Sequence, residues 1–354
     1  MNHPTADIAC GAKATMKACV ISRQDTSPDG LAVVTDLDKP TEPAPSNVIV
    51  QIAYASLNPA DINLMKLIPS LTPFRPHHIP GMDFSGHVVA VGSRVPAHLT
   101  VGSEVCGTLS ISQIIQGVGT LVEFLELPAE IIALKPKDLP LDRSAGLGLA
   151  AQTALLLLKT RPLQAGDRVI IQGASGGVGT ILVQMASASG AHVVGICSEA
   201  NTQLVMSLGA KEVINHKDSA PLVDLICAEH SESFDVIFNC VGDSDLYTHS
   251  HKVLKTDGIY VDICGPGGPV VSYFRTLLTQ WPFRSLWRSQ TVMQYKAVNL
   301  IPSSRLMREV VEQADKGQIR EVVIDSVFPI DQVSEAFQKV SSKRARGKVL
   351  VKMQ

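Results

Sequence analysis

The densest group of residues able to do chemistry in this 354-residue chain is Gly173-Ala174-Ser175-Gly176-Gly177-Val178-Gly179. Four glycines in seven positions let backbone amides come close to a ligand where side chains would block them. An apolar run, Arg168 to Gln172, precedes the turn, and Thr180 to Ser189 follows it with Ile181, Leu182, Met185 and Ala188 at helical spacing. Gly190 ends that helix and a second apolar run, His192 to Cys197, begins at once. Strand, glycine turn, helix and strand form the unit that holds a dinucleotide. Gly173 permits the sharp exit from the strand, Gly176 and Gly177 admit the pyrophosphate, and Gly179 lets the helix pack close. The free N–H groups and the positive dipole end of the helix then face the phosphates.

Other candidates lie outside this turn. Asn58 and Asp61 flank the turn Asn58-Pro59-Ala60-Asp61, Tyr54 lies just before it on a strand, and Thr153 lies in an apolar helix. Two readings of Asn58 stand side by side: a donor to a substrate oxygen, or a cap of its own turn. For Asp61 the capping reading is favoured. Tyr54 reads as a pocket wall or proton donor, or as an ordinary packed tyrosine. Thr153 either approaches a bound ring or packs its helix. His77 and His78, in a proline-rich loop, titrate near neutrality and could relay a proton, but a solvated loop role is favoured.

The elements that position these residues differ between the two parts of the chain. From Met16 to about Leu139 short strands and turns predominate. The reading includes strands at Met16–Ser22, Asn47–Ala55 and His87–Val91, with a helical turn at Ile62–Leu67. From about Leu141, helix and strand alternate. Helices are expected at 201–208, 220–229 and 246–254, and strands at 212–214, 235–240 and 258–263. The fold class is therefore α/β: a mainly β domain plus a doubly wound parallel sheet. The terminal strand, amphipathic helix, basic turn and strand, 328–354, return to the first domain. Gln290 to Lys296 reads as a sixth, edge strand, and an unpaired edge favours a homodimer.

Composition narrows the function. Hydrophobic residues are 45%, charged residues 18% and the formal net charge is −2, so there is no electrostatic footprint for nucleic acid. The seven cysteines never stand two residues apart, which excludes a zinc knuckle or redox pair. Cys197, Cys240 and Cys264 read as core. No signal or transit pattern is visible at the start, and no apolar stretch is long enough to span a bilayer, so a soluble cytoplasmic protein without a membrane partner is the expectation.

Several motifs together resemble the medium-chain dehydrogenase/reductase superfamily, in its zinc-free quinone oxidoreductase branch. They are Leu57 to Asp61, Pro80-Gly81-Met82-Asp83-Phe84-Ser85-Gly86, Gly119-Thr120 with Glu123-Phe124, Gly173 to Gly179, Ser207 to Ala210, Ala336-Phe337 and Ala345 to Val349. Segment 270–300 is similar to the mitochondrial reticulon-interacting oxidoreductases and their fungal relatives. The resemblance implies a GroES-like catalytic domain at 16–140, completed by 302–354, and an NADP-binding Rossmann domain at 141–301. Zinc-dependent members carry cysteine where Asn58 stands, a His-Glu pair where Met82-Asp83 stands, and a four-cysteine lobe absent here, so no metal is expected. The tyrosine proton donor of mitochondrial-type enoyl reductases has no counterpart between Asn63 and Pro73.

The same resemblance guides the cofactor and the reaction. An NAD site wants an acidic residue after the second strand; Cys197-Ser198 stands there, with Glu199 next. Ser198 leaves room for a 2′-phosphate, Asn201 replaces the family's lysine, and His216 or Lys217 could contribute, as could Lys348. Val241 and Cys264, after two later strands, complete the expected contacts. The implied activity is NADPH-dependent, zinc-independent reduction of an activated C=C bond in a small enone, enoyl or quinone substrate, with Asn58, Tyr54 and Thr153 as catalytic candidates. A nucleotide-binding interaction protein with vestigial catalysis, or an alcohol dehydrogenase, is the alternative.

Overall fold

The computed structural model describes residues 14–21, 25–71, 78–216, 221–241, 245–263 and 294–354. His77, Lys217, Cys264, the 270–293 part of the resemblance segment and the start of the expected edge strand lie outside them. The first part of the chain forms β1 (Thr15–Ile21), β2 (Leu31–Asp38), β3 (Asn47–Leu57), α1 (Pro59–Leu71), β4 (Asp83–Val91), β5 (Glu104–Thr108), α2 (Ile111–Ile115), β6 (Phe124–Pro128) and β7 (Ile132–Leu134). Next come α3 (Leu141–Ala145), α4 (Gly148–Thr160), β8 (Arg168–Gln172), α5 (Gly177–Ala188), β9 (His192–Cys197), α6 (Thr202–Ser207), β10 (Glu212–Asn215), α7 (Leu222–His230), β11 (Phe234–Asn239), α8 (Asp245–Thr248), β12 (Leu254–Asp262) and β13 (Tyr295–Ala297). The chain closes with α9 (Ser304–Asp315), β14 (Ile324–Pro329), α10 (Val333–Ser341) and β15 (Lys348–Lys352).

The nucleotide-type sheet has six parallel strands in the order β10-β9-β8-β11-β12-β13. Its strands are apolar on both faces because helices cover both. Val169, Ile171, Val193, Val236, Phe238 and Val261 face α4, α5 and α9 in one core, while Ile170, Val194, Ile237 and Tyr260 face α7 and α8 in another. The edge strand β13 is anchored through Tyr295, whose ring stacks on Tyr260 at 6.2 Å and meets Tyr247 edge-on at 5.2 Å. The order reverses between β8 and β11, and ligands of such sheets bind outside the strands' carboxyl ends at that reversal.

The other large sheet has seven strands: β14-β15-β3-β4-β5-β7 in order, with β6 on β3. The last strand, β15, lies antiparallel to β3 with Leu350 opposite Ser56, so the C-terminus closes a sheet begun some 300 residues earlier. Ala55, Leu57, Phe84, Val349 and Val351 point into that domain's core. Their neighbours on the strands point the other way, toward α3, where the Ser85 hydroxyl donates to the Leu141 carbonyl (2.6 Å).

Three expectations need correction. The segment expected as a helix to Leu254 stops being helical at Thr248, with a short 3-10 turn behind it. Leu254 instead starts β12 opposite Phe234 and is buried there, so strand pairing claimed an apolar residue that helical spacing had seemed to claim. His78 is not a solvated loop residue: it is 3% exposed, and its carbonyl accepts from the Ile21 amide at 2.9 Å. The helical turn after Asn58 is larger than expected, a helix of 13 residues. Pro59 at its first position is pre-set for helix and gives up no needed N–H.

The two sheets meet where α4 begins. The Leu149 amide, in the helix's first turn, donates to Asp83 Oδ1 on β4 at 2.8 Å. A Cβ on Gly148 would lie 2.1 Å from that same oxygen. Gly148→Ala is therefore expected to destabilise the chain by about 1–3 kcal/mol, the usual range for overpacking. Denaturant unfolding measures this, and an unchanged midpoint would show that Asp83 can move aside freely.

Candidate active site

The glycine turn sits at the reversal of the parallel sheet. Gly173 has φ +78°, a conformation that favours glycine. The helix start is pressed against the turn so closely that a Cβ on Gly179 would lie 2.1 Å from the Gly173 carbonyl oxygen. Gly176 is open by contrast, with only the Gly173 oxygen within reach of an added Cβ, at 3.4 Å. Gly177, Val178 and Gly179 are the first residues of α5, so no helical carbonyl is available to their amides. This is a cradle that fits a pyrophosphate.

Around the cradle the expected cofactor residues fall into two groups. Asn201 Nδ2 donates to Ser175 Oγ (2.9 Å), tying the loop after β9 to the turn, while Asn201 Oδ1 is buried with no hydrogen-bond partner. An orphaned acceptor beside the cradle fits a ribose hydroxyl. Ser198 is half-buried at the tip of β9 and Glu199 beside it is exposed. Val241 leans over Gly173 and is 53% exposed. His216, after β10, is exposed, with its amide bonded to the Cys197 carbonyl (3.1 Å). Lys348 is in a different place: its stem passes Gly177, with Cδ 3.1 Å from where a Cβ would be, and its ammonium continues inward away from solvent.

That ammonium ends in a buried polar cluster. Lys348 Nζ donates to Asn58 Oδ1 and lies 3.5 Å from Asp83 Oδ2. Asn58 Nδ2 donates to the same Asp83 oxygen at 2.8 Å, and the Asn58 amide donates to Asp61 Oδ2 at 2.7 Å. Strand register explains the meeting: Ser56 lies opposite Asp83 on β4 and opposite Leu350 on β15, so Asn58 and Lys348 come next along the same face. All four side chains are nearly inaccessible. Burial first, and then the charge of Asp83, push the Asp61 carboxyl up to about 7, against the bonds from Asn58 and the charge of Lys348.

The remaining catalytic candidates have their own partners. Thr153 Oγ1 donates to the Leu149 carbonyl one turn back (2.8 Å). Tyr54 is half-buried, paired across the strands with Ser85 on the face that α3 covers. A row of buried polar residues had not been singled out: Gln172, Asn239 and Asp262 end β8, β11 and β12 and lie side by side in register. The signal was present in the sequence, since each is a polar residue closing an apolar run at the ligand-binding end of a parallel strand. Among the described residues no group of three or more His, Cys, Asp or Glu side chains converges to hold a metal ion.

A GroES-like sheet joined to a Rossmann sheet, with a phosphate cradle at the strand reversal, defines a nucleotide-dependent oxidoreductase fold. Residues 44–137 match the alcohol dehydrogenase GroES-like domain family, and residues 208–351 match the zinc-binding dehydrogenase family. The human mitochondrial NAD(P)H oxidoreductase RTN4IP1 is 31% identical over 87% of this chain and 82% of its own length. The trans-enoyl reductase poxH of Penicillium oxalicum is 26% identical over 91% of this chain and 94% of its own. The quinone oxidoreductase structure from Coxiella burnetii superposes with a TM-score of 0.77 at 23% identity, covering 96% of this chain and all of that one. The chain belongs to the medium-chain dehydrogenase/reductase superfamily, in its zinc-free branch. It is an oxidoreductase that uses a nicotinamide cofactor.

Two outcomes follow from the buried cluster. Removing one partner of a buried ion pair leaves the other charge stranded, at a typical cost of about 3–5 kcal/mol. Lys348→Met should lose that much stability in denaturant titration; a loss below about 1 kcal/mol would mean the pair is dispensable. Asp61 gives a pH signature. With its folded pKa near 7 and its ordinary value at 3.8, the stability it retains below pH 4 is lost as pH rises to 7, by about 4 kcal/mol in total. Asp61→Asn cannot titrate, so its stability relative to the unmutated protein should climb by that amount between pH 4 and 7 and then level off. A difference independent of pH would place the Asp61 pKa at its ordinary value.

Proposed function

We propose that this chain is an NADPH-dependent, zinc-independent reductase of activated C=C bonds, acting on an enone, an enoyl thioester or a quinone. The observation that carries the reading is the Lys348–Asn58–Asp83 cluster. Asn58 and Met82-Asp83 stand where zinc-dependent members hold metal ligands, and here both polar side chains are spent on an ammonium group. Without a Lewis acid, hydride addition to a simple ketone develops a localised alkoxide with little to stabilise it. Addition to a conjugated alkene spreads the charge into an enolate, which a few hydrogen-bond donors can hold. Likeness to a trans-enoyl reductase over 91% of the chain supports the same substrate class.

The bound nicotinamide nucleotide supplies the hydride; the chain's own residues bind and orient. Ser175, Gly176, Gly177, Val178 and Gly179 hold the pyrophosphate, Asn201 and Ser198 the adenosine ribose, and Val241 and Thr153 the approach to the ring. Asn58 acts as a positioning residue in this reading, holding the Asp83 and Lys348 side chains beneath the cleft, while Tyr54 lines the sheet face behind it.

Protein washed with EDTA, freed of zinc as verified by elemental analysis, should oxidise NADPH when offered enones, trans-enoyl thioesters or quinones. Loss of reduced-nicotinamide absorbance measures this. Oxidation of simple alcohols with no response to any conjugated acceptor, or activity that returns only on adding zinc, would overturn the reading.

A further inference from the structure

Between α1 and α2 lies a small pocket, part-open to solvent, with room for about one water molecule. Its walls are apolar: Ile21 of β1, Leu64 and Met65 of α1, Ile114 of α2, and Ile79. Two polar side chains interrupt that lining, the Asp61 carboxyl and the His78 imidazole, and they are only 2% and 3% exposed. Asp61 Oδ2 accepts the Asn58 amide, whereas Asp61 Oδ1 has no hydrogen-bond partner among the described residues. A buried acceptor left in that state is costly. A water in the pocket would satisfy it, and Asp61 and His78 together give that water the polar partners a bound one needs. The imidazole can also pass a proton on, because one ring nitrogen accepts while the other donates.

The pocket ends one hydrogen bond from the Asn58 turn, so the proton on Asp61 matters to the cluster beneath the cleft. Burial and then the charge of Asp83 on β4 favour that proton; the Asn58 bonds and the Lys348 ammonium on β15 oppose it. The other elements packed here bring no further charge to the pocket. β1 and α2 present Ile21 and Ile114, and α10, which packs on α1, turns Val333, Ala336 and Phe337 into the core. With the proton on Asp61, the charges of Lys348 and Asp83 cancel and the cluster is neutral. Without it, one excess negative charge lies under the cleft and opposes the anion that hydride addition creates.

We propose that this pocket is a proton port: a water held between Asp61 Oδ1 and the His78 ring carries the Asp61 proton to and from solvent, and that proton governs the rate of hydride addition in the cleft. This role of Asp61 is one of positioning charge, since it reaches the cleft only through Asn58. It rests on the reductase reading. The reduction takes up one hydride, from the nucleotide, and one proton, ultimately from water, so a site that exchanges protons with solvent beside the cluster has a use in every turnover.

Infrared difference spectra of the full chain, recorded between about pH 5 and about pH 9, read the Asp61 proton without turnover. A protonated-carboxyl band should fade as pH rises through about 7 and be missing from Asp61→Asn. Ile114→Phe, which fills the pocket from a short surface helix, should move the band to higher frequency as the carboxyl loses its water partner; Leu64→Phe tests the opposite wall if that variant does not fold. His78→Gln should keep the band and slow its decay after a pH jump. An unshifted band in the filled variants overturns the port, and an unslowed decay overturns the assignment of His78. NADPH oxidation with a quinone or enone should fall roughly tenfold over the same pH range, the effect of one charge about 10 Å away at an effective dielectric of about 20. Asp61→Asn should show no such fall. If no conjugated acceptor is reduced at any pH, the reductase reading fails while the spectra still decide the port. If turnover keeps the same pH profile in Asp61→Asn, that reading stands and the link from port to cleft is overturned.

Discussion

An ammonium group with no access to water needs partners, and the position of Lys348 follows from that requirement. Its strand, β15, must pair with β3 to bring it beside Asn58, and β4 must pair with β3 to bring Asp83 to the same face. The Asp83 oxygen that Lys348 does not approach caps the first turn of α4. The aliphatic stem of Lys348 meanwhile runs against Gly177 at the start of α5. One buried pair therefore ties together the C-terminal strand, the GroES-like sheet, the helix between the sheets and the glycine cradle. Buried pairs seldom gain net stability over apolar substitutes, but once present they penalise any arrangement that separates them. Here that penalty falls on any shift of the cradle relative to the sheet it faces.

The same cluster sets an electrostatic problem that the protein solves with a proton. One ammonium lies between two carboxyl groups, and Asp83 is the closer, better bonded of them. Asp61 receives the Asn58 amide on one oxygen, while the other oxygen is buried without a partner. A second negative charge there would be held without enough compensation, so the proton stays on until about neutrality. The N-terminus of α1 is thus capped by a group whose acceptor strength changes in the physiological pH range. The zinc-dependent arrangement solves the charge problem at these positions with a metal; this chain does so with a lysine and a retained proton.

Much of this was legible in the sequence, for identifiable reasons. The apolar runs at 168–172 and 192–197 have no helical period and are bounded by glycine, so β8, β9 and the cradle between them could be placed closely. The end of the helix before β12 was not legible, because Val253 and Leu254 suit a helix face and a strand core equally, and only the pairing with Phe234 decides. The partners of Lys348 were hidden for another reason. Asn58, Asp83 and Lys348 span 290 positions, and nothing local to any of them marks it as buried. A lysine at the edge of a basic turn looks like a surface cation; the strand register, which turns it inward, is a property of three strands at once.

The division of labour at the nucleotide follows from the same geometry. A pyrophosphate can be held by backbone alone, so the cradle needs glycines and a helix start, all contiguous in sequence. Beyond the cradle, the segment after β9 carries Ser198, the exposed carboxylate of Glu199, and Asn201, which bonds back to the cradle through the Ser175 hydroxyl. Among the described residues, two segments are bonded to the cradle backbone: β9, whose Ile196 carbonyl accepts the Gly173 and Ala174 amides, and the C-terminal turn, whose Gly347 amide donates to the Ser175 carbonyl. Lys348 fixes that turn from within the protein, since its ammonium is bonded to Asn58 and its stem runs against Gly177. Packing in the GroES-like sheet and contact with the glycine cradle are in this way properties of two adjacent residues, Gly347 and Lys348.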